Sequence, residues 1–292
     1  MRLRVLTLNV LNLEGDPRRQ DILNAEIRRL DPDLVSLQEV VVNEEHDQLA
    51  RLLDGTGLHG THQAHTLGYA VPWSERYGGT ALATRWPHTV VETLDLRLPE
   101  TGDVHPWGAI GAAVDIPGEG ELLFVATTNG ASLADERARE RHVVKLAELD
   151  DRHRRKLPTI IAGDFNARPE ASSIRFMRGL QSLDGRTAGY YDTWEIAGDG
   201  PGYTWSYDNP SAAWIMDYII RQPSPRMRID YVFVATSQTR HLDGECRVRR
   251  AQLAFDQPVD GVWPSDHYGV LVDFELSGNI ERFERQPLPW SH

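Results

Sequence analysis

The chain has 292 residues, 25% of them charged and 40% hydrophobic, and a formal net charge of −12. That length holds either two small domains or one large α/β domain with a substantial core, and a single domain is the simpler expectation. No run approaches the roughly 20 apolar residues needed to cross a bilayer, and the acidic balance works against indiscriminate attraction to nucleic acid, which depends on neutralising phosphates with Lys and Arg.

The opening "MRLRVLTLNV" alternates in polarity and has neither a long apolar centre nor a small-residue cleavage site, which argues against a standard export signal. Cys246 is the single cysteine, so an intrachain disulfide framework is excluded and a reducing, cytoplasmic setting is expected.

Short β-like runs recur along the chain at 3–8, 34–38, 80–84, 109–116, 122–128, 159–163, 229–235 and 268–276. Asp16 and Pro17 offer a cap and first position for a helix to about Leu30. The stretch "LADERARERHVVKLAELDDRHRR" has the 3.6-residue spacing of an amphipathic helix, whose solvated face takes up Arg137, Arg139, Arg141 and the basic run at 152–156. Pro169 can open a third helix carrying Ile174, Phe176 and Met177. Helices separate some of the strands but not others, so a purely parallel doubly wound sheet fits poorly. Two mixed sheets packed face to face with helices outside fit better. Residues 279–292 read as an irregular tail after a domain spanning 1–278.

Several of these strands end on polar residues. "LTLNV" delivers Asn9, "LVSLQEV" delivers Glu39, "TIIAGDFN" delivers Asp164 and Asn166, "RIDYVFV" offers Asp230, and "PSDHYGV" offers Asp266 and His267. Each residue alone reads as a cap, a turn or a surface group. Together they point to one polar cluster, because a rigid strand end is where an acid can be held still enough to orient a water or a metal.

The ordered set "TLNV", "LQEV", "GDFNARP", "RIDYVFV" and "SDHYGV" resembles the endonuclease/exonuclease/phosphatase superfamily over residues 5 to about 275. The resemblance implies a four-layer α/β sandwich and divalent-metal-dependent hydrolysis of a phosphoester, usually with magnesium, manganese and calcium being alternatives. It implies further that Glu39 is the principal metal ligand, with Asn9 and Asp266 beside it, which suits a hard cation's preference for oxygen. Asp164 would direct the attacking water, and Asn166 would donate to a nonbridging phosphate oxygen. His267 would bind phosphate or assist proton transfer, with Asp230 fixing its tautomer.

The pattern breaks once. Where the family usually ends a strand on "TH", this chain reads "ATTNGAS" and places Asn129. An asparagine can donate a hydrogen bond to phosphate but cannot carry a proton or a charge. Natural divergence and an inactivating replacement are both open readings. Glu75 in "SERYGG" resembles the acid that pairs with this histidine in the deoxyribonuclease branch. His59, His62 and His65 have a zinc-like spacing without a neighbouring Cys, and a plain polar loop is the favoured reading. Tyr203, Trp205, Tyr207 and Trp214 lie shortly before Asp230; Trp205 and Trp214 in particular can stack on a substrate, or the group can pin down a long loop.

The expectation is a metal-dependent phosphodiesterase or phosphatase for a small, nonpolymeric ester. A DNA or RNA nuclease is the first rival, and a phosphate-binding protein that has lost catalysis the second. Substrate identity, the number of metals and oligomeric state are not legible in the sequence.

Overall fold

The protein is described from a computed structural model, which covers residues 1–278 except 70, 99, 101–104, 133, 222–224 and 237–243. The expected tail at 279–292 lies outside the described residues.

The chain runs β1 (Arg2–Asn9), α1 (Arg19–Leu30), β2 (Leu34–Val40), α2 (Gln48–Leu53), β3 (His59–His62), α3 (Ser74–Tyr77), β4 (Gly79–Thr84), β5 (His88–Asp95), β6 (Gly108–Ile116) and β7 (Gly120–Thr128). It continues through α4 (Glu136–His153), β8 (Ile160–Asp164), α5 (Ser172–Met177), β9 (Tyr190–Asp192), α6 (Thr193–Ala197), β10 (Trp205–Ser206), α7 (Pro210–Ile219), β11 (Arg226–Met227), β12 (Asp230–Ala235), β13 (Glu245–Ala254) and β14 (Gly269–Ser277). One six-stranded sheet has the order β13-β14-β1-β2-β4-β3 and the other β5-β6-β7-β8-β12-β9. Both are mixed: β1–β2 and β7–β8 pair in parallel, their other neighbours antiparallel.

Alternation along the strands builds the layers. Leu3, Val5 and Leu34 face Phe124, Ile160 and Val232 in a core between the sheets. Residues of opposite parity pack outward: Leu8 and Leu37 against Leu23 and Ile27 of α1 and Leu52 of α2, and Val125 and Ile161 against Val143 and Leu146 of α4 and Ile174 of α5. The result is the expected sandwich of helix, sheet, sheet and helix. No described helix is long and apolar enough to cross a membrane.

Two helix starts differ from expectation. Asp16 caps the turn before α1 by accepting from the Arg18 amide at 2.9 Å, and the helix begins at Arg19 rather than Pro17. The helix expected to open at Pro169 begins at Ser172, after a turn closed by the Ala171 amide on the Arg168 carbonyl.

Near the site the interface between the sheets becomes polar, and two buried hydroxyls bond across it. Ser36 donates to the Ala162 carbonyl at 2.8 Å, and Thr80 meets Thr128 at 2.7 Å and the Gly108 carbonyl at 3.0 Å. These bonds fix the two sheets relative to each other at the ends that carry the polar residues.

Candidate active site

Asn9, at the end of β1, is almost fully buried and its amide nitrogen reaches both sheets. It donates to Glu39 Oε1 at 3.0 Å and to Asp164 Oδ2 at 3.2 Å, while its oxygen accepts from the Leu11 amide at 3.0 Å. Glu39 stands where β2 and β4 lose register, with φ at +59°. A glutamate in the left-handed region is uncommon, and such strain gathers at functional positions. Gly78 permits it: a Cβ there would lie 2.4 Å from the Glu39 carbonyl carbon.

Asp164 ends β8. Its Oδ1 accepts from the Asn166 amide at 2.8 Å and its Oδ2 from the Asn166 side chain at 3.2 Å. Asn166 is also left-handed, at φ +50°, so the chain turns back on itself instead of staying extended. Its amide nitrogen makes a second bond, to the Asn129 carbonyl at 3.0 Å. Both amide hydrogens therefore go to protein acceptors. In this geometry Asn166 braces Asp164, and it also lines the pocket in which the expected phosphate contact would be made.

Asp230 opens β12 directly opposite Asp164 in the antiparallel register. Two acids facing each other across a sheet repel, and His267 relieves this: its Nδ1 lies 3.0 Å from Asp230 Oδ2, and ligand atoms of Asp164, Asp230 and His267 all fall within 4.8 Å of one another. Burial opposes a charge on the His267 ring, yet Asp230, Asp266 and Asp164 outweigh it and hold the imidazolium well above the usual histidine range. Burial and then the Asp230 charge push Asp164 up to about 8. Burial and then Asp266 push Glu39 up to about 7, against the amide bonds that favour its ionised form.

Asp266 accepts from Trp205 Nε1 at 3.3 Å and from Ser265 Oγ at 3.3 Å; the same hydroxyl contacts the Asn9 carbonyl at 2.7 Å, fastening the His267 segment to β1. Tyr231 fastens the other side, its hydroxyl donating to the Ala167 carbonyl at 2.8 Å and so holding the turn after Asp164.

Two contributors were not singled out in the sequence. Asn12 donates to Glu39 Oε2 at 3.1 Å, and its spacing three residues after Asn9 was the available signal. Arg19 is buried, and its guanidinium donates to the carbonyls of Val10, Leu11, Asn12, Glu14 and Pro264. It looked like an ordinary helix arginine, and only the tertiary fold shows that it moulds the loop under Glu39.

Glu39, Asp164, Asn166, Asp266 and His267 line one pocket of about 790 Å³. The acids suit a divalent cation. Each Glu39 oxygen takes one amide hydrogen bond and has further lone pairs, Asp266 lies close enough to raise the proton affinity of Glu39, and among the described residues no Lys or Arg side chain is ion-paired with Glu39, Asp164 or Asp266. Such a set of oxygens fits a divalent cation.

Other expected residues fall elsewhere. Asn129 is fully buried behind the pocket; its oxygen accepts from Thr127 Oγ1 at 3.1 Å and its amide nitrogen has no hydrogen-bond partner among the described residues. Glu75 is exposed on α3 and does not line the pocket, although Tyr77 of the same helix does. Trp205 lines the pocket with its ring 6.2 Å from that of His267, whereas Trp214 is 71% exposed on α7 and lines a neighbouring groove. His59–His62 form β3 rather than the plain polar loop expected; His62 is buried and held through both ring nitrogens by the Val40 carbonyl and the Ala64 amide, and burial pulls it down to about 4.

A sequence model of the endonuclease/exonuclease/phosphatase family matches residues 6–267. The chain belongs to that family. Members are divalent-metal-dependent phosphoester hydrolases, and this chain is an enzyme of that class. Among solved structures, the D. rerio TDP2 complex with single-strand DNA product is 20% identical, covers 94% of this chain and 99% of its own, and has a TM-score of 0.68. The family protein from Bacteroides vulgatus is 18% identical, with coverage of 95% and 100% and a TM-score of 0.68. The human Nocturnin catalytic domain with bound sulfate is 23% identical, with 94% coverage of each chain and a TM-score of 0.61. At these identities the likeness establishes the fold. No curated protein sequence matches the chain.

Proposed function

We propose that this chain hydrolyses a small, nonpolymeric phosphoester at the Glu39–Asp164–His267 pocket, with magnesium as the resident cation and manganese able to replace it. The observation that carries the reading is the sharing of one Asn9 amide between Glu39 and Asp164, which sets a metal-type carboxylate beside a water-directing one.

Glu39 would hold the cation with Asp266 and the Asn9 side chain nearby. When bound, the cation polarises the phosphate and offsets its charge. Asp164, braced by Asn166 and Asn9, aims a water at phosphorus and receives its proton. His267, kept charged and in one orientation by Asp230, presents Nε2 to a phosphate oxygen or the leaving group and stabilises charge that grows in the transition state. Asn129 cannot replace a charged histidine, so turnover is slower than a histidine there would allow.

The nuclease reading has the D. rerio TDP2 complex with DNA in its favour. Against it, no Lys or Arg is among the described residues lining the pocket. Loss of turnover on chelation and in Glu39→Gln tests the proposal.

A further inference from the structure

The walls of the pocket differ from its floor. Five carboxylates line it, those of Glu14, Glu39, Asp135, Asp164 and Asp266, and no Lys or Arg is among the described residues that do. Arg19, which feels the charges of Asp266 and Glu39, has its guanidinium occupied by backbone carbonyls. A ligand with several negative charges would meet these acids with no lining Lys or Arg to offset its charge.

The same pocket also has apolar lining. Tyr77, His105 and Trp107 form a ladder of rings, with centroid spacings of 5.1 Å and 5.2 Å. Ile215 and Ile219 of α7 line it together with Trp205. Ile219 is 56% exposed although it lines a pocket, and α7 buries fully only Ala212 and Met216 against the protein. Ile219 thus keeps unfilled apolar surface in the pocket that also holds the acid cluster.

Building on the hydrolase reading above, we infer that the substrate is a phosphodiester with a single negative charge, one of whose ester groups is an uncharged apolar or aromatic body seated between α7 and the Tyr77–His105–Trp107 ladder. An aryl group and a lipid chain share that chemistry. Polynucleotides and polyphosphates are disfavoured by the same walls.

The test uses diesters with one leaving group, p-nitrophenolate, and varies the second ester group, so leaving-group chemistry is constant. Methyl, phenyl and octyl esters and a short oligonucleotide ester are compared with magnesium or manganese present. The phenyl or octyl ester should exceed the methyl ester by about tenfold or more in kcat/KM, the size expected from burying several carbons. A preference for phenyl in solution identifies an aryl substrate, and a preference for octyl that grows above its micelle concentration identifies a lipid one. In Ile219→Asp the phenyl-to-methyl and octyl-to-methyl ratios should fall toward one, and Ile219→Leu should keep them. Calorimetry provides a readout without turnover: phenylphosphonate or octylphosphonate should bind more tightly than methylphosphonate. Equal ratios and equal binding would overturn the inference while leaving the proposed function intact, whereas preferential cleavage of the oligonucleotide would overturn the inference and the nonpolymeric reading together and leave only metal-dependent hydrolysis. No cleavage of any ester would overturn both.

Discussion

Asn9 joins Glu39 of one sheet to Asp164 of the other through a single amide nitrogen, at 3.0 Å and 3.2 Å. No other side chain of the site bonds both of these acids directly among the described residues, so the relative placement of the two carboxylates depends on it. Replacing it leaves two buried acids without that donor, a cost larger than the bond itself. Asn9→Ala should lower kcat/KM by about 10²-fold and raise the metal concentration for half-maximal activity by about tenfold, as loss of an outer partner of a metal ligand does. Steady-state kinetics over a magnesium titration checks both, and an unchanged metal midpoint would remove Asn9 from the site.

Asp230 acts through His267. In Asp230→Asn the imidazolium loses the leading interaction that holds its proton, so its titration should move down toward the ordinary histidine range, and kcat should fall on the order of 10²- to 10⁴-fold. The ring proton of His267 followed by NMR against pH measures the first effect independently of turnover. A titration that stays high would show that Asp266 and Asp164 suffice.

The raised carboxyls carry a pH signature. Both Glu39 and Asp164 hold protons more tightly folded than unfolded, the first up to about 7 and the second up to about 8. Their contribution to stability is complete below their unfolded values and is lost as pH climbs through 7 and 8. In chelator, Tm should therefore fall by several degrees between pH 6 and pH 9. Magnesium should restore more at pH 8 than at pH 6, because the cation competes with those protons. A magnesium effect equal at both pH values would contradict the placement of the cation beside these acids.

Position 129 gives the fourth prediction. Its amide nitrogen is buried without a hydrogen-bond partner among the described residues, and its backbone supports both Asp164 and Asn166. Asn129→His should raise kcat by about 10²-fold if a charged donor belongs there. Unchanged or lower turnover, with an unaltered Tm, would show that this chain works without one.

The strands that carry Asn9, Glu39, Asp164 and Asp230 were legible because each is an apolar run that ends on a polar residue. What escaped has a physical cause. β5 is an edge strand whose residues are nearly all half-buried, and β13 is an edge strand laced with Arg247, Arg249 and Arg250, so neither shows a clean alternation. The segment after Tyr203, which read as a long aromatic loop, contains α7; Asn209 caps it by accepting from the Ser211 amide at 3.0 Å, and Pro210 opens it. Within the site, the identities of the acids and His267 were readable, whereas the left-handed turns at Glu39 and Asn166 were not. Those turns direct the Asn166 amide hydrogens onto Asp164 and the Asn129 carbonyl, contacts that the family resemblance did not indicate.

Phosphodiester turnover by Glu39→Gln, measured against magnesium concentration beside the unaltered chain, bears most directly on metal-dependent hydrolysis at this pocket. The account predicts saturable, chelator-sensitive activity in the unaltered chain, with the variant at least about 10²-fold slower and needing about tenfold more metal. Activity that persists in chelator, or a variant as fast as its parent at every metal concentration, would contradict it.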